Sequence, residues 1–111
     1  MKTKSVMILR AFECLPDWEE NFNDWYCKIH VPMLLNSGEI KEVTRFRRID
    51  SDGNYPKYVV IYQFENLQAL ERFEASPEVA AAIEDSKKRW PPGSWETKWR
   101  VKYEAVEVWK R

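Results

Sequence analysis

Apolar positions along the chain follow two different periods, and the switches between these periods predict the order of the elements. Residues 5–12 are mostly apolar, which is typical of a strand covered on both faces. Apolar side chains then recur every three or four residues from 18 to 33, as on a helix with one buried face. Pro16 and Asp17 are suited to begin this helix, and Gly38 is suited to end it.

The second half of the chain predicts a hairpin, a helical stretch and a last strand. Residues 40–49 and 58–64 have the composition of two strands, and a glycine-containing turn joins them. A helical stretch from about 66 to 88 pauses at Ser76, where a capping side chain followed by proline restarts the helix. The last strand is expected from about 98 to 109.

This order, βαββαβ, predicts an α+β protein with the ferredoxin-like arrangement, in which a four-stranded antiparallel sheet carries two helices on one face. Residues 1–111 would form one such domain, because the length suits a single core. The other face of the sheet is not polar, since Trp99, Val101 and Tyr103 point the same way along the last strand. A second copy is the simplest cover for such a face. We therefore expect a homodimer through the sheet faces, a dimeric α/β barrel.

Composition and charge exclude several other classes of protein. Lysine plus arginine and aspartate plus glutamate number 18 each, so no net field attracts nucleic acid or an anionic membrane. No apolar run approaches the about 20 residues that a membrane span needs. The basic and apolar start lacks a cleavage site, which predicts a cytoplasmic protein. No phosphate-binding glycine loop or metal-ligand cluster is present, so we expect neither a cofactor nor a metal.

Aromatic content is the most unusual feature of the composition, with six Trp, five Tyr and five Phe. Such rings fill cores, line small-molecule pockets and occupy subunit interfaces. Residues 90–95, which contain two prolines, a glycine and two tryptophans, predict an aromatic loop. This composition favours a small apolar or aromatic ligand.

His30 is the only histidine, and it lies near the end of the first predicted helix. Histidine exchanges protons near neutral pH, so one hypothesis is a general acid/base at the mouth of an apolar pocket. The alternative is a helix-end histidine that satisfies a carbonyl or packs on its neighbours. Its position beside the apolar stripe would let the ring contact both a cleft and water. Tyr26, one turn earlier, and Arg45, on the second strand, are candidate partners that could stabilise a developing oxyanion.

Several segments together carry a resemblance to a known family. These segments are Phe22–Tyr26, His30–Leu34, Thr44–Arg47, Tyr55–Tyr58, Tyr62–Glu65 and Phe73–Glu78. Their order and spacing resemble those of EthD-like members of the dimeric α/β-barrel superfamily. The resemblance implies the dimeric barrel, and it implies relatives that include cofactor-free cyclases, lactone isomerases, dehydratases and small monooxygenases.

These observations predict a cofactor-independent enzyme that carries out cyclisation, isomerisation, dehydration or a lyase step on a small aromatic or enolisable substrate. His30 would carry the proton, with Tyr26 and Arg45 as the other catalytic residues. The expected substrate-binding residues are Trp25, Phe22, Tyr62, Tyr103, Trp90 and Trp95. One alternative is a cofactor-free monooxygenase or a haem-handling relative. Another is a non-catalytic dimer that binds a small ligand or serves as an accessory subunit.

Overall fold

The protein is an antiparallel sheet of four strands with helices packed on one face. The structure, a computed structural model, describes residues 4–111. In chain order its elements are β1 (Val6–Cys14), α1 (Pro16–Trp25), a π-helical segment (Tyr26–His30), α2 (Val31–Leu35), β2 (Glu42–Arg47), β3 (Tyr58–Phe64), α3 (Leu67–Glu74), α4 (Pro77–Arg89) and β4 (Trp95–Glu104). The strands lie in the order β2-β3-β1-β4, and neighbouring strands are antiparallel. This topology confirms the predicted ferredoxin-like fold.

The first helix contains a turn that its apolar periodicity does not predict. Between α1 and α2 the backbone widens into the π-helical segment, where the Val31 N–H donates to the Tyr26 carbonyl five residues earlier. Pro32 follows directly, and proline has no N–H and crowds the carbonyl four residues before it. A regular α-turn is therefore disfavoured at this point. The wider turn buries both Tyr26 and His30 on the side that faces the sheet.

The second helical region forms as predicted, with a break between two helices. The Ser76 side chain accepts a hydrogen bond from the Val79 N–H at 3.3 Å, so it caps the start of α4. Pro77 occupies the first turn, where its missing N–H costs nothing. Similarly, Asn66 caps α3 by accepting from the Ala69 N–H at 2.8 Å.

The predicted loop at 90–95 forms over residues 90–94, whereas the predicted bounds of the last strand are wrong. Trp90 ends α4, and a tight turn follows in which the Ser94 N–H donates to the Pro91 carbonyl at 3.2 Å. Gly93 has a φ of 84°, which glycine adopts without strain. The chain therefore reverses within four residues, and Trp95 already pairs with Cys14 in the sheet. As a result, β4 begins three residues early and ends at Glu104.

The core lies between the helices and the inner face of the sheet. Its largest fully buried side chains include Tyr26, Phe12, Phe22, Phe64, Ile8 and Leu70. Neighbouring rings meet at tilted or edge-on angles, with centroids 5.5 Å apart for Phe12 and Tyr26. Such contacts stabilise a core beyond the area they bury.

The outer face of the sheet is apolar, and none of the helices formed by residues 4–111 covers it. Strand pairing places Met7, Leu9 and Ala11 opposite Tyr103, Val101 and Trp99, respectively, and all of these side chains share that face. Tyr103 is 54% exposed and Trp99 is 39% exposed. The predicted second apolar face is thus present.

Candidate active site

A cavity of about 410 Å³ lies between the helices and the inner face of the sheet. Its lining residues are Ile8, Arg10, His30, Leu34, Tyr62, Phe73, Glu74, Val79, Ile83 and Arg100. Five of these are aliphatic or phenyl side chains, and the other five are polar or charged. A cavity of this size that combines apolar walls with converging polar groups is typical of a small-molecule site.

His30 lies in the cavity wall and is almost completely buried, at 6% exposed. Its ring packs between Trp25 and Tyr26, with centroid distances of 4.7 and 4.8 Å. Within residues 4–111, Nδ1 is buried and has no hydrogen-bond partner. The position beside the apolar stripe predicted contact with water, whereas the π-helical segment turns the ring inward. His30 therefore lines the cavity, and its Nδ1 forms no hydrogen bond with residues 4–111.

The surroundings keep His30 uncharged at neutral pH. Burial lowers the pKa of His30 to about 4, and the positive charge of Arg10 acts in the same direction. Asp85 opposes these effects, but it also accepts a hydrogen bond from the Trp25 indole at 3.0 Å and pairs with Arg89. A neutral imidazole can accept a proton from a ligand.

The lowered pKa of His30 makes folding stability depend on pH. The unfolded chain binds the proton near pH 6.5 and the folded chain near pH 4, so acid favours the unfolded state over this interval. We expect His30 to cost about 3 kcal/mol of unfolding free energy between pH 7 and pH 4. Urea unfolding of the wild type and of His30→Gln at both pH values measures this cost. Equal pH dependence in the two proteins would contradict the assignment.

Tyr62 lines the cavity, and Tyr26 lies directly behind it. The two hydroxyl groups are hydrogen-bonded to each other, and either can donate. Burial raises the pKa of both phenols, so both stay protonated at neutral pH. Arg10 acts on Tyr62 in the opposite direction, which reflects how near the guanidinium lies to that hydroxyl. Tyr62 can therefore donate a hydrogen bond to a ligand oxygen while Tyr26 holds it in place.

Three charged residues of the cavity wall were not among the predicted site residues. Arg10 on β1 lies opposite Arg100 on β4, and both side chains face the helices. Glu74, at the end of α3, binds Arg100 at 2.9 Å and Lys102 at 2.8 Å. The sequence does contain a sign of Arg10, because Ile8 and Arg10 are two residues apart on a strand and their side chains therefore share one face. This spacing places a cation on the inner face of an otherwise apolar strand.

Arg45 does not reach the cavity. Its guanidinium donates to the Asn23 side chain at 2.9 Å and lies 4.6 Å from the centre of the Tyr26 ring. It is thus separated from the cavity by the ring of Tyr26. This contact is a cation–π interaction, which favours a fixed orientation of the tyrosine.

The structure brings together four of the predicted substrate-binding rings, but it places them behind the cavity wall. Phe22 and Trp95 have centroids 5.0 Å apart, and Trp25 and Trp90 have centroids 5.5 Å apart. These rings fill the core at one end of the sheet. Tyr103 lies on the outer face, away from His30. Of the predicted site residues, the cavity is lined by His30 and Tyr62.

Two kinds of structure are absent from residues 4–111. No helix in that range has both the length and the apolar character needed to cross a membrane. The same residues hold no group of three or more His, Cys, Asp or Glu side chains that could bind a metal ion.

The fold is a ferredoxin-like α+β fold, and one family model matches most of the chain. The chain belongs to the family described as "Domain of unknown function (DUF4286)", whose match covers residues 10–92. One curated relative is the "Core atranone cluster (CAC) protein 1" of Stachybotrys chlorohalonatus, with 32% identity over 56 residues. That match covers 50% of this chain and 24% of the relative, so the chain matches about a quarter of the relative's length.

Solved structures of low sequence identity share the fold. An EthD family protein from Bacillus halodurans has a TM-score of 0.64 and 14% identity, covering 96% of this chain and all of its own. The hydroxynitrile lyase of Passiflora edulis has a TM-score of 0.69 and 15% identity, covering 99% and 100%. SnoaB, a cofactor-independent oxygenase from Streptomyces nogalater, has a TM-score of 0.63 and 15% identity, covering 96% and 97%. These matches confirm the predicted resemblance in fold, and they include enzymes.

Proposed function

We propose that the protein is a cofactor-independent enzyme that transfers a proton on a small substrate bound beside His30. The observation that carries this proposal is the position of the only histidine, which is buried in the wall of an apolar cavity with Nδ1 unpaired. A histidine held only for structure would normally have its buried polar atoms satisfied. The ring of His30 also lines the cavity, so it lies next to the space that a ligand would occupy.

The proposed chemistry begins with a substrate whose acidic carbon lies next to a carbonyl group. Neutral His30 accepts the proton from that carbon, and the electron pair moves onto the carbonyl oxygen. Tyr62 donates a hydrogen bond to this oxygen, and Arg10 stabilises its negative charge. Imidazolium then returns the proton to the substrate at the same or another atom. Isomerisation, cyclisation and dehydration of such a substrate share this first transfer. In a lyase step on a cyanohydrin, the same base removes the hydroxyl proton, the aldehyde C=O forms, and cyanide leaves.

Tyr26, Arg45 and Trp25 act as positioning residues in this proposal. Tyr26 holds the hydroxyl of Tyr62, while Arg45 stacks on the Tyr26 ring. Trp25 packs on the imidazole and is itself fixed by a hydrogen bond to Asp85. None of the three needs to touch the substrate.

Two neutral probes test the proposed proton transfer. The first is 2-tetralone, a flat enolisable ketone whose α-protons exchange with D₂O and can be followed by proton NMR at pH 7. The second is mandelonitrile, whose cleavage releases cyanide. We expect the protein to accelerate at least one of these reactions above the rate in buffer and in heat-denatured protein. Rates equal to both backgrounds for both probes would favour a non-catalytic ligand-binding protein.

A cofactor-free oxygenase is the second candidate function, and the fold match to SnoaB favours it. Such an enzyme would also begin with proton removal, but the resulting carbanion would then react with dioxygen. Proton exchange is common to both candidates, so the products formed with and without dioxygen separate them. Products that contain new oxygen and form only in air would favour the oxygenase.

We further propose that two copies associate through the outer face of the sheet. That face carries a continuous row of apolar side chains, including Leu9 and Val101 at its centre and the exposed rings of Phe46, Trp99 and Tyr103. Monomeric proteins rarely expose apolar patches of this kind. A two-fold axis lets the same face cover itself in a second copy.

A charge on the outer face is expected to dissociate the proposed dimer. Tyr103→Glu would bury an unpaired carboxylate between the sheets, which costs several kcal/mol. Gln68→Glu adds the same charge to an exposed position on α3 and serves as the control. Light scattering after size exclusion should give twice the monomer mass for the wild type and the control, and the monomer mass for Tyr103→Glu. A monomeric wild type would contradict the proposal.

A further inference from the structure

Arg10 is a cation of the cavity wall that forms no ion pair with a carboxylate of residues 4–111. Arg10 donates to the Thr97 hydroxyl at 2.8 Å and lies 4.7 Å from the centre of the Phe12 ring, and both of these partners are uncharged. Its Nε is buried and has no hydrogen-bond partner in the part of the chain that the structure describes. None of the ion pairs formed between residues 4 and 111 includes Arg10.

The other charges of the wall do not compensate Arg10. Glu74 is the acidic residue of the cavity lining, and its two oxygens are already bound to Arg100 and Lys102. One carboxylate is therefore shared by two cations. The cavity lining itself carries two positive charges, on Arg10 and Arg100, and one negative charge, on Glu74. His30 and Tyr62, the remaining polar groups of the wall, are uncharged at neutral pH.

A partly buried guanidinium without a counter-ion is costly, and a bound anion would remove that cost. Arginine is well suited to this role because its planar fork donates two parallel hydrogen bonds to a carboxylate. The rest of the wall consists of aliphatic and phenyl groups such as Ile8, Leu34 and Phe73, which suit an apolar body. Charge and shape thus favour a ligand with one acidic group and a hydrocarbon frame.

We propose that the substrate is a small organic monoanion, an apolar ring or chain with one carboxylate or enolate group that is bound by Arg10. This inference rests on the proposed function, since it specifies the substrate class of the same cavity. The anionic oxygens would bind the Arg10 guanidinium, which leaves the hydroxyl of Tyr62 for the carbonyl oxygen of the same substrate. The hydrocarbon part would then extend along Leu34 and Phe73, close to His30.

Benzoate and benzamide test this inference, because they have the same shape and differ in charge. His30 gives the only imidazole signals in the spectrum, so NMR of its ring reports directly on the cavity without further assignment. We expect benzoate to shift these signals and to raise the pKa of His30 above its value of about 4, because the anion offsets Arg10. Benzamide should leave the pKa unchanged, and inorganic phosphate should not compete with benzoate.

Variants then identify the residue that binds the anion. Arg10→Gln should weaken benzoate binding by about 10–100-fold, the range expected for a charge-assisted hydrogen bond. Arg72→Gln removes the same charge from the surface of α3, outside the cavity, and should leave the affinity unchanged. Arg10→Lys keeps the charge without the fork and should give an intermediate affinity. If Arg10→Gln does not fold, the comparison of benzoate with benzamide on the wild type still shows whether the cavity prefers an anion.

Equal binding of benzoate and benzamide would overturn the inference, as would unchanged benzoate affinity in folded Arg10→Gln. Competition by phosphate at similar concentration would also overturn it, since the cavity would then bind any anion. A different result would contradict the proposed function but not this inference: benzoate binds through Arg10, while neither 2-tetralone nor mandelonitrile reacts. Conversely, the neutral probes could react in a His30-dependent way while benzoate does not bind. That result would support the proposed proton transfer and contradict the anionic substrate.

Discussion

Replacing His30 by glutamine is expected to slow the exchange of 2-tetralone α-protons by about 10²–10⁴-fold, the usual contribution of a general base. Glutamine keeps much of the ring's size and hydrogen-bonding capacity but cannot accept a proton at neutral pH. Wild-type exchange should increase with pH through about 4, where His30 loses its proton, and should then level off. Proton NMR between pH 3.5 and pH 8 measures both effects.

Lys28→Gln is the matched control for this variant. Lys28 lies in the same π-helical segment, but its side chain is exposed and pairs with Asp24 at 2.7 Å. The control should exchange protons at the wild-type rate with the wild-type pH profile. If His30→Gln folds with an unchanged circular dichroism spectrum and still exchanges at the wild-type rate, His30 is not the base.

Phe22→Ala is expected to lower the free energy of unfolding by about 3–5 kcal/mol, as is usual when a buried phenylalanine is truncated. The side chain is fully buried, and its ring lies 5.5 Å from that of Tyr26 and 5.0 Å from that of Trp95. Neighbouring rings are too large to close the resulting void. Urea unfolding at pH 7 measures the loss.

Ile49→Ala is a suitable control for Phe22→Ala, because Ile49 is 98% exposed and should change stability by less than about 0.5 kcal/mol. Benzoate binding by Phe22→Ala, compared with its stability, shows whether Phe22 is a core residue or a substrate-binding residue. Phe22 does not line the cavity, so folded Phe22→Ala should bind benzoate as the wild type does. Loss of benzoate binding with unchanged stability would restore Phe22 to the binding site.

The fold was predictable from the sequence because each element has a clear period and clear ends. The apolar positions of the first helix, the capping serine at position 76 and the alternation of β3 all have local causes. The start of β4 was missed because Pro91–Gly93 suggested a longer loop, whereas a four-residue turn is sufficient for the reversal. Residues 105–109 were assigned to the strand for their apolar side chains, although the strand ends at Glu104.

The candidate site was only partly predictable, because a cavity depends on packing between elements that are distant in sequence. His30 was identified by its chemistry, and Tyr62 by its place on an inner-facing strand. Arg45 and the predicted site tryptophans, Trp25, Trp90 and Trp95, also face inward. The packing of the helices on the sheet decides which of the inward-facing side chains border the cavity. Arg10 was missed because residues 5–12 were predicted to form a mostly apolar strand that is covered on both faces.

The wide turn at Tyr26–His30 makes the spacing of this segment as important as its composition. Successive residues of an α-helix are about 100° apart around its axis. Deleting one residue between Tyr26 and His30 would let the regular helix re-form, and it would rotate everything downstream by about that angle. The imidazole would then leave the cavity. Homologous chains that are one residue shorter here would therefore present a different side chain to their ligand, even if every other residue were identical.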